Sequence, residues 1–137
     1  MRMQNYDQQE DLLLLGIKVE SFPLGIKEAF ESLMRTFGAN RSYYGISWCF
    51  DASTIEYYAT VQEAFTGEAK KFNYKKLTIP KGLYHTATIV DWLGKTDCIK
   101  DVFNELTAGS RPTESRPCIE WYKSDHEMLC MIKSDWF

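Results

Sequence analysis

No run in this sequence approaches the roughly 20 consecutive apolar residues of a membrane span. The best candidate, LLLLGI from Leu12, is far too short, and Asp7, Glu10 and Asp11 ahead of it are wrong for a signal peptide. Histidine is scarce: His85 and His126 are isolated from each other, which argues against a histidine metal centre. Cys49, Cys98, Cys118 and Cys130 show no CxxC or other metal spacing. With no export signal they are expected as reduced, buried small hydrophobes, and the chain is expected in the cytoplasm without metal or cofactor. The Asn40-Arg41-Ser42 glycosylation sequon is then coincidental. Positive charge is also lacking. A net charge of −3 argues against a nucleic-acid footprint, which would need a basic face.

Aromatic rings, by contrast, are plentiful. Phe, Trp and Tyr make up 15% of 137 residues, enough to line a surface or cavity as well as to fill a β-rich core. The length fits one domain with a substantial core.

Two stretches carry a helical stripe. Leu24 to Phe37 places Ile26, Ala29, Phe30, Leu33, Met34 and Phe37 on one face, with Pro23 suited to the first turn. Asp97 to Ala108 does the same with Ile99, Val102, Phe103 and Leu106, between an Asp97 N-cap and a Gly109 stop. The remainder reads as strands at 12–19, 42–50, 54–64, 74–79, 83–90, 117–123 and 128–134, the fourth and fifth interrupted only by Pro80-Lys81-Gly82. Asp7, Glu10 and Asp11 read as part of a solvated N-terminal segment.

The order is β-α-β-β twice. A gapless shift of 73 positions lays Ile26 on Ile99, Lys27 on Lys100, Phe30 on Phe103, Leu33 on Leu106, Ser42 on Ser115, Ile46 on Ile119 and Trp48 on Trp121. Ordinary residue frequencies give about one or two such identities. The expected fold is one α+β domain of two halves, about 12–64 and 74–134, related by a pseudo-two-fold axis. Two helices should pack on a mainly antiparallel, curved sheet.

Within RPCIEWYKSD, from Arg116, Glu120 interrupts an apolar strand. A carboxylate leaves water only at a cost that a partner must offset. Alternation places Ile46 with Trp48, and Ile119 with Trp121, on shared faces. An amphipathic helix must cover the apolar face, so those four are expected beneath the helices as core. Glu120 then lies on the opposite face with Cys118 and Tyr122. The shift pairs Glu120 with Ser47, so only one half carries the charge.

The β-α-β-β duplication, IPKGLY from Ile79, DWLG from Asp91 and PCIEWY from Pro117 together resemble the gyrase-inhibitor-like effector-binding domain. That module occurs alone or joined to the DNA-binding domains of AraC-type and MerR-type multidrug regulators. The resemblance runs from about Leu12 to Lys133. It implies an aromatic-lined pocket for lipophilic organic cations with Glu120 at its base. Tyr122 is the expected wall, Trp92 a cap at the pocket mouth, and Tyr84, Tyr58 and Tyr43 further contacts. No helix-turn-helix is present in this chain, so direct DNA binding is not expected, and any regulatory role would run through a partner protein or through drug sequestration. Some stand-alone members are hydrolases. That alternative would use Glu120 as general base, with Asp91 the nearest second acid. A protein-interaction module, through an edge such as Leu12 to Val19, is the third reading.

Overall fold

The computed structural model describes residues 2–20, 25–49, 55–92, 102–103, 106, 117–124 and 126–133. Eight strands form one antiparallel sheet: β1 (Arg2–Gln8), β2 (Leu12–Lys18), β3 (Tyr43–Cys49), β4 (Ile55–Gln62), β5 (Lys75–Ile79), β6 (Gly82–Val90), β7 (Cys118–Tyr122) and β8 (Glu127–Lys133). Their order is β1-β6-β8-β7-β3-β4-β2-β5. The order has the expected two-fold pattern, β6-β8-β7 answering β2-β4-β3 about the β7–β3 seam. In that seam Ile46 is the partner of Ile119, the residue onto which the 73-residue shift maps it. A pseudo-dyad therefore passes between these two isoleucines.

Connectivity dictates the curvature. β1 and β2 stand six places apart in the sheet order, about 29 Å if the sheet were flat at 4.8 Å per strand. The chain from Gln8 to Leu12 spans at most about 14 Å. β5 and β6 are also six places apart and are joined only through Pro80 and Lys81. Both joints are possible only if the sheet curls until its ends approach. The two joints also meet each other, since the Lys81 amide donates to Asp11 Oδ1 at 2.9 Å. Asp11 thus stays exposed, as do Asp7 and Glu10, and is also a structural acceptor at the closure; Arg2–Gln8 is a strand on β6 that periodicity did not reveal.

The curled sheet has two buried faces. Its concave side holds Leu14, Tyr44, Ile46, Tyr58, Leu77, Ile79, Tyr84, Ile119, Leu129 and Met131, contributed by seven strands, with Tyr6 of the eighth packed against them. Trp48 and Trp121 border the same cluster. The convex side carries the helices. α1 (Ile26–Phe37) has Glu28 in its first turn and Arg35 in its last, and Gly38 ends it at φ 85°, a left-handed value that favours glycine. Leu33, wholly buried, packs with Leu15, Tyr57, Ala59 and Val61. In the second half Val102, Phe103 and Leu106 are helical and pack over Ala87, Ile89, Cys118, Met128, Cys130 and Ile132. The other residues of the expected Asp97–Ala108 helix, its caps included, lie outside the described residues, as does Pro23. A one-turn helix, α2 (Glu68–Lys71), was not anticipated.

This arrangement corrects the face assignment. Ile46, Trp48, Ile119 and Trp121 do share one face, but it is the concave face, away from the helices. Glu120 lies on the helix side. A sheet that closes on itself buries its inner face with no helix, so both faces are apolar and the helices cover the outer one. Among the described residues no helix is long and apolar enough to cross a membrane.

Candidate functional site

Glu120 sits on β7 opposite Gly45 of β3, beside the pseudo-dyad and between the two helical layers. Its Oε1 accepts a hydrogen bond from the Tyr57 hydroxyl at 2.8 Å and a second, short one from the Tyr122 hydroxyl. The two phenol oxygens are themselves 3.3 Å apart. Both bonds converge on one oxygen. No ion pair joins Glu120 to a basic side chain among the described residues. Burial holds the carboxyl above its ordinary range, and the Tyr122 and Tyr57 hydrogen bonds act in the opposite sense. Burial, reinforced by the neighbouring carboxylate, raises both phenols well above 10, so they remain donors at physiological pH. Cys130, directly across the β7–β8 ladder from Glu120, is raised by burial and then by the same carboxylate.

Tyr57 was missed by sequence reasoning, and so was the residue that admits it. Tyr57 belongs to β4, one strand beyond β3, so its ring must cross over β3 to reach Glu120. It crosses at Gly45. A Cβ built at position 45 would lie 1.9 Å from the Tyr57 hydroxyl oxygen and 2.8 Å from Glu120 Oε1, distances that side chains do not tolerate. A glycine inside a strand often marks such an approach, and that was the available signal.

Around this trio stands an aromatic wall. Tyr122 lies edge-on to Phe30 of α1 at 5.2 Å between ring centroids, and tilted against Trp92 at 5.0 Å. Trp92 is anchored by its indole N–H, which donates to the Ser124 carbonyl at 2.8 Å. The chain reaches Trp92 through Asp91, whose φ of 55° is uncommon for a non-glycine residue and turns the backbone sharply off β6. Asp91 itself is exposed and faces His126 at 3.5 Å, so it offers no second carboxylate beside Glu120.

Of the six expected contacts, the structure brings Glu120, Tyr122 and Trp92 together. Tyr43 shares their face, but it is buried under α1 and its hydroxyl donates to the Gly38 carbonyl. Tyr58 and Tyr84 point to the concave side. Tyr58 packs against Trp48 and receives a hydrogen bond from Lys75 at 3.2 Å. Tyr84 is wholly buried and donates to the Pro80 carbonyl at 2.6 Å. The cleft it lines with Ile46, Trp48, Ile79 and Ile119 is too narrow for more than about a water molecule. The described residues contain no cluster of three or more His, Cys, Asp or Glu suited to a metal ion.

No family model matches the chain, and no curated protein matches it in sequence. Solved structures do resemble it. An integron cassette protein from the mobile metagenome of Vibrio cholerae superposes with a TM-score of 0.64 at 15% identity, over 96% of this chain and 94% of its own. SAV2435 bound to tetraphenylphosphonium gives 0.61 at 15% identity, over 98% and 95%. A hydrolase from Listeria innocua gives 0.54 at 13% identity, over 96% and 90%. At these identities the likeness is one of fold.

Proposed function

We propose that this chain is a binding module of the gyrase-inhibitor-like kind for lipophilic organic cations, with Glu120 as the charge-selecting group and Tyr122, Trp92 and Phe30 as its aromatic surround. The observation that carries the reading is a carboxylate set among aromatic rings, hydrogen-bonded only by phenols and unpaired by any cation among the described residues. Such a group costs free energy at rest, and an incoming cation offsets that cost. Each aromatic face adds about 0.5–2 kcal/mol of cation–π attraction. Apolar walls accept varied shapes while the single charge selects sign. Tetraphenylphosphonium, named with one structural neighbour, is a ligand of this class.

The test is a titration of tetraphenylphosphonium or a fluorescent rhodamine against wild type, Glu120→Gln and Glu120→Ala. Losing the charge-assisted contact should weaken cation binding by about one to two decades, the equivalent of about 1.5–3 kcal/mol. A neutral ligand of similar shape should lose little in the Gln variant. Equal cation binding by wild type and Gln defeats the reading. Consumption of ligand by wild type but not by Gln, followed by mass spectrometry, would establish the hydrolase instead.

A further inference from the structure

Two phenols hold Glu120, but they are not placed alike. Tyr57 is buried to 1% exposure, and its ring lies over the bare backbone of Gly45 in a slot that a methyl group would fill. Tyr122 is half-buried, borders the rings of Phe30 and Trp92, and stands on the same strand as the carboxylate it holds. One donor is locked in the core, and the other forms part of the wall of the site.

We propose that Tyr57, seated in the Gly45 slot, is the fixed positioning residue for Glu120, and that Tyr122 is a displaceable donor occupying the cation's place until ligand arrives. This rests on the cation-binding reading above and divides labour within that site. Because both hydroxyls converge on Oε1, the bond from Tyr57 alone suffices to hold the carboxylate's orientation when Tyr122 swings away. Tyr122 loses one hydrogen bond in doing so, and its ring can then turn its face to the cation between Phe30 and Trp92. The arrangement also explains the asymmetry between the halves. The pseudo-dyad places Ser47 where Glu120 stands and Cys118 where Gly45 stands. The second half-site therefore lacks both the charge and the slot, which implies one monovalent cation per chain.

Phenylalanine variants separate the two roles without changing packing volume. Tyr57→Phe should weaken tetraphenylphosphonium binding about ten-fold, whereas Tyr122→Phe should hold affinity within about two-fold or raise it. Equal losses in the two variants, or a larger loss in Tyr122→Phe, overturn the proposal. A ligand-free readout accompanies them: the titration of the Glu120 side-chain carboxyl carbon by NMR. Among the described residues, the titratable groups against that carboxylate are Tyr57 of β4, Tyr122 of β7 and Cys130 of β8, with Cys118 on the same face of β7; the helical residues packed on that face are the apolar Phe30, Val102, Phe103 and Leu106. Tyr57→Phe should shift the titration upward, and Gly45→Ala should do the same by expelling the Tyr57 ring. If Gly45→Ala does not fold, Tyr57→Phe alone decides. A titration unmoved in Tyr57→Phe overturns the positioning role. If wild type binds no cation but the titration moves as expected, the positioning role of Tyr57 stands, and the cation-binding reading and the displacement of Tyr122 fall.

Discussion

Glu120 is paid for twice in opposite directions, by burial and by its phenol partners, and burial prevails. Its folded-state pKa is therefore raised above the unfolded value, so the protonated form is the one the fold prefers. The stability associated with that preference is complete below the unfolded pKa, near 4.3, and is lost as pH rises through the folded pKa. In its ionised form Glu120 is a net cost to the empty protein. Glu120→Gln should then be more stable than wild type at pH 7 by on the order of 1–2 kcal/mol. The difference should shrink as pH falls through the folded pKa of Glu120, which chemical denaturation at several pH values would reveal. A Gln variant less stable than wild type at neutral pH contradicts the account. Cation affinity should fall over the same interval, because protonation removes the charge the ligand meets. At this scale the sequence announced Glu120 itself, an acid in an apolar strand, and its alternation partner Tyr122. It did not announce Tyr57, which is two strands away and is brought close only by the β3–β4 and β3–β7 registers.

Among the elements, those the sequence displayed were the ones whose burial is periodic. β2 through β8 and α1 fell within about a residue or two of their expected bounds. β1 was invisible because RMQNYDQ is polar and occupies an edge, where pairing with β6 rather than side-chain alternation makes it a strand. α2 was invisible for a different reason: four residues carry too little period, and its place is fixed by one ion pair. Glu68 accepts from Arg41 at 2.8 Å and from the Ala64 amide at 2.9 Å. The guanidinium in turn lies over the Phe37 ring at 5.0 Å, tying α2 to the end of α1. Glu68 is covered by these partners rather than deep in the core. The hydrogen bond from Arg41 lowers its pKa, so its contribution is present above the unfolded pKa and is lost as pH falls through the folded one. Arg41→Ala should cost about 1–3 kcal/mol at pH 7 and less in acid, where Glu68 is protonated in both proteins. Hydrogen exchange should localise the loosening to residues 63–72. Unchanged stability at pH 7 would make the pair ornamental and leave α2 held by Ala69 and its apolar contacts alone.

For the whole molecule, the class of fold followed from the β-α-β-β order, whereas the closure did not. Closure is set by which strands become neighbours, and two short joints on opposite sides of the seam carry that information only once the order is known. The reversed face assignment came from the same gap, because an open sheet has one helix-covered face and a curled one has two interiors. The curl makes a mechanical prediction. The concave cluster draws on both halves, with Leu14, Tyr44 and Tyr58 from the first and Tyr84, Leu129 and Met131 from the second, while Ile46 and Ile119 meet at the dyad. Neither half can bury its inner face alone, so the halves should unfold as one unit despite their internal repetition. Ile119, 1% exposed, touches that shared interior, and Ile119→Ala should cost about 2–5 kcal/mol. The loss should appear as a single transition, displaced equally by tryptophan fluorescence and by far-ultraviolet circular dichroism. Two separated transitions, or a loss confined to the second half by hydrogen exchange, would mean that the halves are independent. The seam would then be a contact between two small domains rather than the centre of one core.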